Sequence, residues 1–379
     1  MVRGLHPVSG TEPMTSTAPA LTTRQLNRAL LARQMLLARE KTTALDAVGR
    51  LAGMQAQLAR PPFIGLWTRL EGFRRDDLLG PLRDRQIVRV TAMRGTLHLM
   101  TAADYVELRG ALQPGLTRGL QSALRDRAKG LDLDALEAEA RLFFPGTFDG
   151  FRAHLKKKDP QADERAMAYA IRLNLPLVQV PAEAAWGFPA AADFAMADAW
   201  LKKKVSTEPA PAHTLVRRYL AAFGPATPGD AQAWSGLQGL REVFEELRPS
   251  LVTFRDERKR ELFDLPDAPR PPENTPAPIR FLPDFDNLVL AHDDRTRVIA
   301  DEHRPKVTLK NLQVRATFLN DGFVAGTWKV ERKKKAATLI LEPFGKMDKK
   351  TLAALEREGD ALLRFAEEDA EMREVRFSP

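Results

Sequence analysis

The chain contains no cysteine. Disulfides, thiolate metal sites and cysteine nucleophiles are therefore excluded, and a reducing cytoplasmic setting is the expectation. No apolar run approaches the roughly 20 residues of a spanning helix, so no membrane partner is expected. Residues 1–20 lack the apolar centre of a signal peptide and are rich in Pro, Ser, Thr and Gly. They read as a disordered leader, with Met14 an alternative start. A Gly-rich phosphate loop and a Gly-x-Ser-x-Gly elbow are also missing, which argues against nucleotide hydrolysis and serine hydrolase chemistry.

What is present is mostly charge. Lys and Arg number 58 against 50 Asp and Glu, a formal charge of +8 over 379 residues. The sequence pI is about 9.7. That balance favours a polyanionic partner, with nucleic acid first. Hydrophobic residues make up 44%, enough for two to four compact units with buried cores.

Periodicity divides the chain. Residues 22–40 read as an amphipathic helix capped by Thr22 or Thr23, and Thr43 to Met54 as a second. Short helices follow over 63–70 and 76–85. The period then changes to two: residues 87–92 and 96–100 alternate as strands around an Arg94-Gly95 turn. Helices then a hairpin is the order of a winged helix. That order recurs twice. In 131–205, three helices precede a strand at 177–180 and a return over 185–188. In 211–266, helices precede strands at 251–254 and 261–265 around a charged tip. Six prolines in 266–278 mark a linker. Beyond it strands are expected at 279–282, 288–291, 307–310, 313–319, 322–330 and 337–342, then a helix over 348–370. Asn320-Asp321-Gly322 signals a hairpin. The predicted organisation is α+β: a leader (1–20), winged helices over 21–130, 131–205 and 211–266, a linker (267–278) and a barrel-like β unit with a C-terminal helix (279–379).

Gln55-Ala56-Gln57 carries the clearest chemical signal. A carboxamide offers an acceptor and two donors but no useful pKa. It can hold water and stabilise positive charge, yet it is a poor general base. Such a site needs an activated leaving group, as in a cationic N-alkylated purine. Residues i and i+2 share a face only in extended chain, so the preceding helix should end by Met54. Pro61-Pro62 supports a break nearby. Without further context, two glutamines at a helix terminus equally well satisfy local backbone groups.

Expected DNA contacts are Arg94 at the first hairpin turn, His98 and Arg89 on its strands, Arg60 beside the glutamines, and Arg332, Lys333 and Lys334 on a later hairpin. His98 is equally consistent with a core position. Other basic runs, at 156–158 and 202–204, are ordinary solvated faces. Asp284, Asp286 and His292-Asp293-Asp294 match no metal-binding spacing, so no metal and no cofactor are expected.

Gln55-Ala56-Gln57 stands with Gly65-Leu66-Trp67-Thr68-Arg69, Arg94-Gly95-Thr96-Leu97-His98-Leu99, Trp234-Ser235-Gly236-Leu237, Leu282-Pro283 with Asp284 to Asn287, Asp294-Arg295 and Gly326-Thr327-Trp328. Together these resemble the AlkZ/YcaQ-like winged-helix DNA glycosylases, from about Leu21 to about residue 345. Glutamine at 57 places the chain on the AlkZ-like, Gln-x-Gln branch. The resemblance implies three tandem winged helices in a C shape with a β-barrel. It implies a monofunctional glycosylase, with Gln55 and Gln57 catalytic, that removes N-alkylated purines from double-stranded DNA. Interstrand crosslink unhooking, in DNA repair or in genotoxin self-resistance, is the implied extension. A monomer is expected. A non-catalytic winged-helix DNA-binding protein or regulator is the other reading, since fold alone does not decide function.

Overall fold

The computed structural model describes residues 19–128 and 130–378. The expected leader lies outside them except for its last two residues, and Ala20 there pairs with Arg255 in a short parallel strand. Among the described residues no helix is long and apolar enough to cross a membrane.

Helix starts follow their capping residues. Thr22 and Gln25 form a reciprocal capping box ahead of Thr23–Arg33, and Thr43 caps Ala44–Arg50. The second helix stops early enough for Met54–Gln55 to be a strand. Pro61 opens the next helix, Pro61–Trp67, where its missing N–H costs nothing. Asp76–Arg83 leads into an antiparallel hairpin of Ile87–Thr91 and Leu97–Thr101. After it comes the longest helix of the chain, Ala102–Leu124. The alternating pattern gave no sign of it.

The helices Leu133–Phe143, Phe148–Lys158 and Glu164–Asn174 precede a strand, Leu177–Gln179. Its partner is Phe194–Met196, later than the expected return over 185–188. This pair does not stand alone. Leu177–Gln179 adds to Ile87–Thr91 with Arg89 opposite Gln179, so one five-stranded antiparallel sheet joins the first two helical groups. A third group, His213–Phe223, Pro228–Ser235 and Leu240–Leu247, precedes the hairpin Val252–Asp256 and Glu261–Asp264. One apolar core runs from Leu30 through Phe151 and Phe223 to Val324, which ties all these groups together.

The C-terminal unit is an open sheet and not a closed barrel. Its strands order as Met372–Phe377, Ala336–Pro343, Phe323–Lys333, Thr317–Asn320 and Arg280–Leu282, and the two outer strands do not meet. Ala336–Pro343 and Met372–Phe377 are parallel, so the chain must cross between them, and it does so through the helix Lys349–Ala366. Leu355, Leu362 and Leu363 of that helix pack on the sheet with Leu339 and Leu341. A helix covering one face satisfies the sheet without closure. Two expected strands are something else: 288–291 overlaps the short turn Asn287–Val289, and 307–310 follows the helix Arg304–Val307. The turn at Asp321-Gly322 has both φ values positive, 48° and 83°, the backbone that joins two-residue hairpins.

Candidate active site

Gln55 and Gln57 lie where the first hairpin's sheet runs out into a loop. Gln55 pairs with His98 across the sheet, and the amide N–H of Ala56 still donates to the carbonyl of Leu97 at 2.7 Å. The chain is thus held beside the hairpin through residue 56. Gln55 is 8% exposed, whereas Gln57 is exposed.

The two amides differ in surroundings. Arg94 Nη2 donates to Gln55 Oε1 at 2.8 Å. Arginine has only donors, so it decides which end of the amide faces it. The carbonyl is engaged and the NH2 end turns elsewhere. Gln55 lines a small pocket of about 20 Å³ with Asp284, Asp286, Asn287 and Pro61. Gln57 Oε1 accepts from the Leu97 N–H at 3.3 Å. It borders a separate cleft of about 460 Å³ with Arg89, Arg172, Gln179, Phe148 and Phe188. The extended chain therefore presents its two amides to two separate spaces and not to a single cavity.

Arg94 is where the sequence expectation changes most. It does not project from a free wing tip. At φ 56° it sits in the hairpin turn and reaches the carbonyl of Trp234, Gln55 Oε1 and, at 3.3 Å, Asn287 Oδ1. The turn packs on Gly236, where a Cβ would come within 3.2 Å of the Arg94 backbone. Gly236 has φ 82°, so only glycine meets both demands without strain. Burial, with Arg295 a lesser cause, lowers the Arg94 pKa to about 10, so it stays charged at neutral pH.

Other expected contacts also face inward. His98 has no exposed surface, and burial, reinforced by Arg94, lowers its pKa to about 3. It is neutral, and Nδ1 lies 3.1 Å from the Thr96 carbonyl. Arg89 is 5% exposed and donates to the carbonyls of Ala56 and Gln57 at 2.9 and 3.2 Å, over the Phe188 ring. It clamps the backbone that carries the glutamines. Arg60 is half-buried and Arg332 exposed, and they share Glu367 at 2.7 and 3.1 Å. Lys333 and Lys334 are exposed at the turn between two strands of the C-terminal sheet.

Three groups at the site have contacts that the sequence did not reveal. Asn287 bridges Arg94 and the Gly53 carbonyl. Asp286 makes a two-point pair with Arg69 at 2.9 Å, both buried. Removing one partner of such a pair costs about 3–5 kcal/mol, so Arg69–Asp286 is the rivet between the glutamine loop and the C-terminal unit. Gln179, buried beside the cleft, has an Oε1 without a hydrogen-bond partner. The segment Asp284 to Asn287 was visible as a motif, but its partners were not.

Two of the acidic residues between 284 and 294 are paired with arginines. Asp286 holds Arg69, and Asp294 holds Arg258 and Arg260. Among the described residues no cluster of three His, Cys, Asp or Glu is placed to hold an ion.

A family model described as DNA glycosylase AlkZ-like matches residues 48–365. The chain is similar to an interstrand DNA cross-link repair glycosylase of Streptomyces sahachiroi, 27% identical over 359 residues, covering 86% of this chain and 92% of that protein. Its fold is similar to the solved structure of Streptomyces sahachiroi DNA glycosylase AlkZ, with a TM-score of 0.76 at 23% identity, covering 95% of this chain and 100% of that one. At that identity the structural likeness carries the mixed α+β fold.

Proposed function

The chain belongs to the AlkZ-like DNA glycosylase family, and on that premise we propose that it hydrolyses the N-glycosidic bond of cationic N-alkylated purines in duplex DNA. The family makes it a monofunctional DNA glycosylase, which sets aside the regulator reading. The substrate class rests on the site's chemistry. Two neutral amides stand where a stronger base would serve an unactivated nucleoside. A purine alkylated at N7 already carries the positive charge that drives its departure.

The observation that carries this reading is the division of labour between Gln55 and Gln57. Arg94 occupies the Gln55 carbonyl, so that residue offers its NH2 to the oxygen of a water. Gln57 sits exposed at the mouth of the cleft, with an oxygen held only by a long bond from Leu97. That oxygen can face the positive charge that develops on the sugar. As the glycosidic bond breaks, its electron pair returns to N9 and the purine leaves neutral. Water then adds at C1′. No lysine enters the reaction, so no strand cleavage through a Schiff base is expected.

The cleft beside Gln57 falls within the roughly 300–1,000 Å³ of small-molecule pockets and offers Phe148 and Phe188 as aromatic walls. A flipped nucleotide costs a few kcal/mol to extrude, and a damaged pair costs least. Interstrand crosslinks are the proposed extension, supported by the name of the Streptomyces relative. The helical groups within 21–130, 131–205 and 211–266 are read as winged helices, and the protein as a working monomer. Exposed Lys333 and Lys334 are the proposed phosphate contacts, because Arg94, Arg89 and His98 are committed internally. Base release from duplex DNA carrying N7-methylguanine, beside the same assay on a crosslinked duplex, tests the reading. Release from the first supports the glycosidic chemistry and release from the second the extension. No release from either overturns the substrate assignment.

A further inference from the structure

The Gln-x-Gln pair lacks a proton acceptor. Water adding at C1′ must lose a proton, and an amide is a poor base for it. The pocket beside Gln55 supplies a candidate. Its volume of about 20 Å³ suits one water, which needs roughly 10–15 Å³ by the same measure. Two carboxylates line it, Asp284 and Asp286. Asp286 is neutralised by Arg69 through two bonds. Asp284 has no ion-pair partner among the described residues. One of its oxygens accepts from the Ala316 N–H at 3.1 Å.

Asp284 also lines a second cavity of about 250 Å³, together with Leu58, Arg60 and Pro61. It therefore shares one cavity with Gln55 and another with Leu58, the residue after Gln57, from a distant part of the chain. Burial raises its pKa above the usual aspartate value, with Arg60 and Arg315 opposing weakly. The other charged groups facing these two cavities are Arg69, Asp286 and Lys329.

We propose that Asp284 is a further catalytic residue, the carboxylate that accepts the proton of the water held by Gln55 as that water adds to C1′. The inference rests on the glycosylase reading of Gln55 and Gln57. In the step, the C1′–N9 bond breaks with its electron pair going to the purine, and the water oxygen bonds to C1′. The released proton passes to the Asp284 carboxylate and from there to solvent. Before addition, the ionised carboxylate also stabilises the cationic sugar. The Gln-x-Gln motif itself supplies no carboxylate; Asp284 comes from a separate segment that lines the same pocket as Gln55.

The test is single-turnover release of N7-methylguanine from a duplex by the full chain, from pH 5 to 9, after subtracting the uncatalysed rate. Asp284→Asn is nearly isosteric and can still accept from Ala316, and DNA affinity and thermal unfolding check its fold. The parent should lose activity as pH falls through the Asp284 pKa, because the acid form cannot take a proton. Asp284→Asn should release base on the order of 10²-fold more slowly, with no acid limb and with DNA affinity within a few-fold. Release at the parental rate, or a slow variant that keeps the parental pH profile, would overturn the proposal and leave Asp284 structural. A parent that releases no base at any pH would instead sink the glycosylase substrate reading on which the proposal rests.

Discussion

Replacing Arg94 with lysine keeps its charge and removes its fork. The guanidinium reaches three acceptors on three separate segments: Trp234 O, Gln55 Oε1 and Asn287 Oδ1. A lysine ammonium cannot span all three. Hydrogen bonds to charged groups contribute about 1.5–3 kcal/mol each. Losing one or two of them should cost about 1.5–6 kcal/mol, read by urea unfolding. Gln55 then loses the donor that orients its amide, so base release should slow by roughly 10- to 10²-fold. DNA affinity should keep its dependence on salt, because a buried guanidinium releases no counterions. A phosphate contact behaves in the opposite way: its loss lowers the log–log salt slope by about 0.9 with little effect on folding. A slope lowered by about one with unchanged stability would refute the internal role argued for Arg94.

Two other outcomes follow from the same geometry. Duplex DNA affinity should fall with salt at about −0.9 per neutralised phosphate, and the double variant Lys333→Glu, Lys334→Glu should flatten that slope by one to two units. An unchanged slope would exclude the exposed hairpin turn as a phosphate contact. Stability should also fall in mild acid. His98 is held neutral by burial, with a folded pKa of about 3 against about 6.5 unfolded, and burial lowers His292 as well. Between those values the unfolded chain binds protons that the folded chain does not. Full stability is therefore present above about pH 6.5 and is lost as pH falls toward 3, at up to roughly 1.4 kcal/mol per unit per histidine. Urea midpoints at pH 7 and pH 5 measure this, and equal midpoints would contradict it.

The candidate pair was legible because it combines a local motif with a local break. Gly53 and Pro61-Pro62 bracket Gln55 and Gln57, and the period-two run at 87–101 lies close behind. What held the pair was not legible. Arg94 meets Asn287 across 193 positions, and Arg69 meets Asp286 across 217. Periodicity carries no information at that range. For the same reason Arg94 at the turn read as outward and His98 stayed open between DNA and core: alternation assigns a face to each strand residue but cannot say what covers that face. The barrel expectation failed through miscounting. The apolar run at 288–291 is a largely buried turn, which shares composition with a buried strand, and 307–310, which alternates Val-Thr-Leu-Lys, leaves the end of a short helix. The strand Met372–Phe377 carries Arg373, Glu374 and Arg376 among its six residues and sits at the sheet edge, so its apolar signal is thin. Ala102–Leu124 carries Pro114 and three glycines, residues that sequence rules treat as helix breakers.

The most direct measurement is single-turnover base release from one defined N7-methylguanine duplex by the parent, Gln55→Ala, Gln57→Ala and the double variant, with DNA binding measured in parallel. Neither amide carries charge, so affinity should stay within a few-fold. Each single variant should release base on the order of 10²-fold more slowly, and the double variant no faster than the slower single. A double variant that binds DNA and releases base at the parental rate would contradict the account: the pair would then be part of the loop's structure and the chemistry would lie elsewhere.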